Sequence, residues 1–161
     1  WLKGFVSESL PTTKESIHPL LDENRSTFDE VVFVKTLSKD DFYIQDHVVD
    51  GKHIFPGSAH IEMAVAAGKL AIQKNHHVSS IHHLMWLQPV IVKDERKEIA
   101  IHLKKLETGI QFEIRSVEEN PVLFSKGELI IEEIENKTQS IKAIDTVAQV
   151  NIIQQEKVHN E

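Results

Sequence analysis

One stretch of the chain is apolar on nearly every side and has the composition of a helix. Residues 57–74, GSAHIEMAVAAGKLAIQK, are rich in Ala, Leu, Met, Glu and Lys and contain no proline. A helix that is apolar all round is normally buried, so other structure must surround this one. Pro56 fixes the entry of the chain into the helix, and Asn75 with the histidines after it predicts its end.

After this helix the apolar residues recur at every second position. In KEIAIHLKKL and GIQFEIRSV, apolar and polar residues alternate, which is the pattern of strands with one buried face. The connections VKDERKE, LETG and EENP have hairpin lengths and turn residues. We therefore expect an antiparallel meander over four segments, at residues 82–92, 97–106, 109–117 and 121–132.

The segment before the helix adds further strands. DEVVFVKTLS and DFYIQDHVV are β-branched and aromatic, so they predict two strands joined by a turn at residues 38–41, and a short strand is expected near residues 18–21. In total, the sequence predicts an α+β fold in which a single antiparallel sheet of about six strands curls around one long helix. The polar residues 135–161 are expected to form a linker or a short peripheral helix.

Composition limits the classes of partner. The 161 residues suit a single domain, and the net charge of −7 disfavours a broad nucleic-acid or anionic-membrane footprint. With no cysteine, the chain has neither disulfides nor a thiolate metal site, and a reducing compartment fits. No apolar run approaches the length of a membrane span, and the N-terminus lacks the pattern of a signal peptide, so we expect a cytoplasmic protein. The first residue, Trp1, suggests a piece of a longer polypeptide.

The residues just before the helix carry a resemblance to a known family. The spacing of His47, Gly51 and Pro56 reproduces HxxxGxxxxP, and with Gly57 and the following HIEMA it resembles the N-terminal half of the dehydratase domains of modular polyketide synthases. SIHPLLDEN and SKGELII look like the first and last strands of that half. The resemblance implies a double-hotdog fold, of which this chain covers one unit: an entry segment at residues 1–15, a hotdog domain at 16–134 and a linker at 135–161 toward a second hotdog.

The same resemblance implies an enzyme, a dehydratase that removes water from a β-hydroxyacyl thioester. The substrate would be carried on the phosphopantetheine arm of an acyl carrier protein, the product would be an α,β-enoyl thioester, and the domain itself would bind no cofactor. Histidine suits the task of a general base because its ordinary pKa of about 6.5 leaves a neutral imidazole near neutral pH. His47 is the candidate catalytic base. Gly51, Pro56 and Gly57 are the candidate substrate-positioning and oxyanion residues: Gly51 permits a tight turn and lets the substrate approach without a side chain in the way, Pro56 fixes the entry to the helix, and the N–H of Gly57 is a candidate oxyanion donor.

The general acid has two candidates within this sequence and one outside it. In the resembled family the acid is an Asp in a D-x-x-x-[Q/H] pattern on the second hotdog. Residues 145–149, DTVAQ, fit that pattern but lie in the polar tail, so we expect the acid on a C-terminal hotdog partner. Glu62 is the other candidate, because PGSAHIE also resembles small bacterial dehydratases in which one hotdog forms a homodimer. The alternative for Glu62 is stabilisation of the first helical turns through the helix dipole.

Other functions remain as alternatives, and several other side chains have a structural interpretation. The chain could be a non-catalytic hotdog that binds an acyl chain or a carrier protein. Relatives of the family that shift double bonds or form pyran rings also exist, and the presence of Pro56 weighs against the double-bond shift. His76, His77, His82 and His83 cluster in sequence, but their spacing does not favour a metal site. Trp86 and Phe112 are expected to be core or groove wall. Asp46 is expected to be solvated.

Overall fold

The described part of the chain consists of two helices and nine strands. The computed structural model describes residues 16–93 and 96–134. The helices are α1 (Phe42–Gln45) and α2 (Gly57–Ala71). The strands are β1 (Glu23–Asn24), β2 (Val31–Leu37), β3 (Val48–Val49), β4 (Lys52–Ile54), β5 (His76–Trp86), β6 (Ile91–Val92), β7 (Lys97–Lys105), β8 (Gly109–Ser116) and β9 (Leu123–Glu133).

Six of these strands form one antiparallel sheet around the long helix. Their order is β1-β2-β7-β8-β9-β5, and the helix α2 packs on β5, β7, β8 and β9. Strand β8 shows the reason: its residues are alternately half-buried and buried, so Phe112 and Ile114 face the helix. At Gly68 the helix approaches β9 so closely that a Cβ atom would lie 2.5 Å from Leu129 Cδ1. The prediction of an α+β fold with about six strands around one helix is confirmed.

The helix is buried on most of its sides but not on all of them. Ala59, Met63, Ala64 and Ala67 belong to the main hydrophobic core. An exposed stripe remains on the opposite side, formed by Ser58, Glu62, Lys69 and Leu70. The helix ends at Ala71, three residues before the end of the predicted segment, and the Ile72 N–H donates to the Gly68 carbonyl there.

The predicted four-strand meander is wrong in one pairing. Strands β7, β8 and β9 follow one another as hairpins, as expected. Strand β5, however, pairs with β9, and β6 pairs with β4, so the strands on either side of VKDERKE do not pair with each other. β5 also begins at His76, six residues before the predicted start of the strand at residue 82, so His76 and His77 belong to the strand. As the last strand of the sheet, β5 leaves one backbone edge without a strand partner among the described residues.

The segment DFYIQDHVV does not form the predicted strand. Residues Phe42–Gln45 form the single helical turn α1, because the Asp41 carbonyl accepts hydrogen bonds from the N–H groups of Ile44 and Gln45. Strands β3 and β4 then form a small hairpin that continues into β6 as a second, three-stranded sheet. Near the start, His18 and Leu21 form an isolated bridge and not a strand.

Three expectations concern residues outside the described ranges. These are the entry segment at residues 1–15, the linker at 135–161 and the pattern DTVAQ at 145–149. Among the described helices, none has the length and apolar character needed to cross a membrane.

Candidate active site

His47 lies between the helical turn α1 and the hairpin β3–β4. Its backbone N–H donates to the Ile44 carbonyl at 3.0 Å, and its carbonyl accepts from the Ile54 N–H at 3.1 Å. In a regular antiparallel ladder, the His47 N–H would instead donate to the Ile54 carbonyl. Because α1 uses that N–H, the Ile54 carbonyl needs another donor.

The His47 ring supplies that donor. Its Nδ1 lies 2.8 Å from the Ile54 carbonyl oxygen. A carbonyl oxygen only accepts hydrogen bonds, so Nδ1 carries the proton in this contact. The neutral ring then has its lone pair on Nε2, which is the form that a general base requires. The contact also holds the ring in one orientation relative to the β4 backbone.

The hairpin turn next to His47 has the backbone geometry that glycine favours. Asp50 has φ of +50° and Gly51 has φ of +70°, and they form the two-residue connection between Val49 and Lys52, which pair with each other. Positive φ at both central residues is typical of a type I′ turn, for which Asp-Gly is a preferred sequence. No atom lies within 4 Å of the position where a Cβ of Gly51 would be. Gly51 is therefore required for its backbone conformation and not for space.

The start of α2 leaves two backbone donors outside the hydrogen bonds of the helix. Pro56 caps the helix with φ of −63° and ψ of 145°, and its carbonyl accepts from the N–H groups of Ala59 and His60. The N–H groups of Gly57 and Ser58 precede these and are not part of the described backbone hydrogen bonds. Ile54 and Gly57 are three residues apart, so their Cα atoms are at most about 11 Å from each other. The Ile54 carbonyl, which holds the imidazole of His47, and these two donors therefore belong to one short segment.

Packing of aromatic side chains holds this segment in place. Phe55 is 2% exposed, its ring contacts those of Tyr43 and His60, and its N–H donates to the Val90 carbonyl. The Tyr43 hydroxyl donates to Asp41, and burial together with the nearby Asp41 charge raises the pKa of Tyr43. These contacts join α1, β4 and the start of α2 into one unit.

His60 is the one histidine of the described residues that is buried. Its side chain is 2% exposed, and Nδ1 shares a hydrogen bond of 2.8 Å with the hydroxyl of the fully buried Ser125 on β9. Burial disfavours the charged ring and lowers the pKa of His60 to about 4. His60 is therefore a neutral core residue that connects α2 to the sheet.

The ring of His47 is exposed and does not lie in an enclosed cavity of this chain. Three clefts of about 290, 560 and 380 Å³ are formed by described residues, and His47 lines none of them. The first two lie on the outer face of the sheet, around His102 and Arg115. None of these three clefts therefore provides an acyl tunnel that leads to His47.

Glu62 is exposed on α2 and lies near His18. Its Oε1 is 3.6 Å from His18 Nε2. No acidic residue lies in the first turn of α2, where the helix dipole acts most strongly, and Glu62 lies in the second turn. Within one chain, the contact of Glu62 is with His18 and not with His47.

The remaining predicted side chains have separate places. Phe112 is fully buried, whereas Trp86 is 53% exposed beside Gly57. His82 is within hydrogen-bond distance of Ser80, and His83 of Glu128. No group of three possible metal ligands occurs among residues 16–93 and 96–134. Asp46 is exposed at the end of α1.

Several groups at the site were not identified from the sequence. They are the Ile54 carbonyl, the pair formed by His60 and Ser125, and the contact of Trp86 with Gly57. The hairpin turn at Asp50 and Gly51, by contrast, has a local signal, because the Asp-Gly dipeptide is typical of a hairpin between two extended segments. The contacts of His60 with Ser125 and of Trp86 with Gly57 join distant parts of the chain, and the Ile54 carbonyl is available to the His47 ring because α1 uses the His47 N–H.

Comparisons with known proteins agree with the resemblance. A family model described as "Polyketide synthase dehydratase domain" matches residues 18–117. Polyketide synthase PksN of Bacillus subtilis is 32% identical over 136 residues, which are 80% of this chain and 2% of that protein. Polyketide synthase ThaG of Burkholderia thailandensis is 35% identical over 115 residues, 69% of this chain and 2% of that protein.

Two of the solved structures with the same fold are dehydratase domains. A trans-AT polyketide synthase dehydratase domain from Brevibacillus brevis has a TM-score of 0.67 and 31% identity, over 73% of this chain and 46% of that one. The dehydratase domain of the CurF module of curacin polyketide synthase has a TM-score of 0.66 and 26% identity, over 81% of this chain and 50% of that one. This chain therefore spans about half of each solved domain.

Proposed function

Because this chain belongs to the polyketide synthase dehydratase domain family, we propose that it is the N-terminal hotdog of a dehydratase that converts a β-hydroxyacyl thioester to an α,β-enoyl thioester. The observation that carries the proposal is the contact of His47 Nδ1 with the Ile54 carbonyl, which leaves Nε2 as a proton acceptor. The same contact also supports the hairpin, so the alanine variants described below separate a catalytic His47 from a structural one.

In the proposed reaction, His47 Nε2 takes the proton from the carbon next to the thioester carbonyl. The electron pair of that C–H bond forms the new double bond, and the C–O bond at the β-carbon breaks. The hydroxyl leaves as water after an acid donates a proton to it. Charge builds on the thioester oxygen during proton removal, and the N–H groups of Gly57 and Ser58 are placed at the helix start where they can stabilise it.

Gly51 and Pro56 have supporting roles in this proposal. Gly51 lies in the turn of the hairpin that brings Ile54 opposite His47. Pro56 sets the direction of the chain between the Ile54 carbonyl, which holds the imidazole, and the N–H groups at the start of α2. A displacement of the base by about 1 Å can reduce a rate by about 10²-fold. In this proposal both residues hold His47 in position for the substrate.

The acid is proposed to come from a second hotdog that carries an Asp. Three observations support a missing partner: this chain spans about half of the solved dehydratase domains, the His47 ring is exposed, and β5 ends the sheet with an unpaired edge among the described residues. A second unit that covers this region would exclude water from the His47 ring. Glu62 of a second copy is not favoured, because Glu62 already lies beside His18.

The proposed partner in solution is an acyl carrier protein of the cytoplasm. Its phosphopantetheine arm would bring the thioester to His47, so the domain itself would need no bound cofactor. An exposed base at the edge of the unit suits a substrate that arrives on a tether. The negative net charge of the chain makes nucleic acid an unsuitable partner.

The experiment uses the protein that contains both hotdogs and a β-hydroxyacyl chain loaded on the carrier protein. Loss of one water is followed by mass spectrometry. We expect His47→Ala to lower the rate by about 10²–10⁴-fold, as is typical when a general base is removed. His53→Ala is the matched control, because His53 lies on the same hairpin and its Nδ1 contacts a backbone carbonyl, that of Ile44, at 3.3 Å.

The control separates chemistry from support of the hairpin. If His47 only held the turn together, both alanine variants would lose activity to a similar extent. An unchanged rate in His47→Ala, or equal losses in both variants, would contradict the proposal.

A further inference from the structure

Trp86 is the last residue of β5, and its side chain lies on the face of the sheet that contacts α2. Its strand partner is Ser125, whose hydroxyl contacts His60 on α2. Residues directly opposite each other in an antiparallel pair have their side chains on the same face. Met85, the preceding residue, pairs with Lys126 and therefore lies on the other face.

The indole ring occupies the space beside Gly57 at the start of α2. A Cβ atom on Gly57 would lie 3.3 Å from Trp86 Nε1 and 3.4 Å from Cε2. A methyl group at this position would require the ring to shift by a few tenths of an ångström, so the indole packs closely on the start of the helix. The Trp86 residue is nevertheless 53% exposed, so the rest of its surface is open next to the helix start.

This apolar surface lies close to the proposed base and donors. Gly57 is next to the ring, and Ile54, which anchors His47, is three residues earlier in the chain. If the thioester oxygen binds the Gly57 N–H, the carbon that loses its proton is two bonds from that oxygen. A substituent on this carbon that extends along the Gly57 side of the helix start then meets the indole ring. The ring is rigid and lies beside the helix start, so it has little space to move toward the helix.

We infer that Trp86 is a specificity-determining residue that favours β-hydroxyacyl thioesters without a substituent on the α-carbon over those with an α-methyl group. The inference rests on the proposed function. It adds a substrate preference that neither the contact of His47 with the Ile54 carbonyl nor the fold determines. Trp86 would take no part in proton transfer, so its effect should appear in selectivity.

The test compares two substrates on the protein that contains both hotdogs. The substrates are a matched pair of β-hydroxyacyl chains on the carrier protein, with and without an α-methyl group, and kcat/KM is measured for each. We expect the unmodified protein to favour the chain without the methyl group. Trp86→Ala should shift the ratio of the two values toward the α-methyl substrate by about 10-fold or more, which is typical for one methyl group in a packed pocket.

Two further variants make the result specific. Trp86→Phe keeps an aromatic ring of smaller size, and it should shift the ratio in the same direction by a smaller factor. Met85→Ala is the matched control, since Met85 is the adjacent residue with a similar exposure of 48% but lies on the opposite face. It should leave the ratio unchanged.

The outcomes distinguish this inference from the proposed function. Turnover by the unmodified protein with a ratio that does not change in either Trp86 variant overturns the inference alone. Loss of both activities in both Trp86 variants, at an unchanged unfolding midpoint, also overturns it, because the indole would then be needed for the reaction itself. No turnover of either substrate by the unmodified protein overturns the proposed function and this inference together.

Discussion

The buried histidine of α2 makes the stability of the fold depend on pH. His60 has a pKa of about 4 in the folded state because burial disfavours its charged form, against 6.5 for an unperturbed histidine. Below pH 6.5 the unfolded chain binds a proton that the folded chain excludes, so stability falls as the pH falls. The contribution is fully present above about pH 6.5. The two pKa values give a loss of about 2 kcal/mol at about pH 5 and about 3 kcal/mol at about pH 4.

The assay is urea unfolding of the unmodified protein and of His60→Asn over this pH range. Asn can place an amide atom near the Nδ1 position and so keep the contact with the Ser125 hydroxyl. It does not titrate, so the free energy of unfolding of the variant should lack the loss of about 3 kcal/mol between about pH 7 and about pH 4. His77→Asn is the control, because His77 is exposed on β5 and should leave the pH dependence unchanged.

Equal pH dependence in the unmodified protein and in His60→Asn would refute this reasoning. It would mean that His60 accepts a proton in the folded state as easily as in the unfolded one. The ring would then reach solvent, in conflict with its 2% exposure.

Three other substitutions test the turn, the sheet and the second acid candidate. Gly51→Ala should lower the free energy of unfolding by about 1–2 kcal/mol, the cost of a left-handed alanine, because a Cβ there meets no other atom; no measurable loss would contradict the assigned turn. Gly109→Ala should lower the free energy of unfolding by more than Gly51→Ala, because the Leu129 carbonyl lies where its Cβ would be. A smaller loss than in Gly51→Ala would show that β8 and β9 do not approach each other as described. Glu62→Gln should change the dehydration rate less than about 10-fold; a drop of about 10² or more would favour the homodimer in which Glu62 is the acid.

Local patterns in the sequence predicted the parts of the fold that have a clear period. Strand β8 alternates strictly, with Ile110, Phe112 and Ile114 buried, and its bounds lie within one residue of the prediction. The helix α2 was identified by composition, and its start at Gly57 by Pro56. These elements are determined by which face of each is buried, and that information is present in the order of the residues.

The parts that were predicted incorrectly depend on distant contacts or on competing local preferences. β5 pairs with β9, about fifty residues later, and nothing in the sequence of β5 specifies that partner. The residues of α1 have β-branched and aromatic side chains, but hydrogen bonds to the Asp41 carbonyl hold them in a helical turn. The same turn uses the His47 N–H, which is why the ring and not the backbone binds Ile54. The sequence identified His47 but could not indicate which ring nitrogen is free.

The state of the His47 ring is the most direct test of the account. The ¹⁵N chemical shifts of its two ring nitrogens can be measured near neutral pH, with a His47→Gln variant to assign the signals. We expect a protonated Nδ1, held by the Ile54 carbonyl, and an unprotonated Nε2. A proton on Nε2 instead would contradict the account, because that nitrogen could not then accept a proton from the substrate.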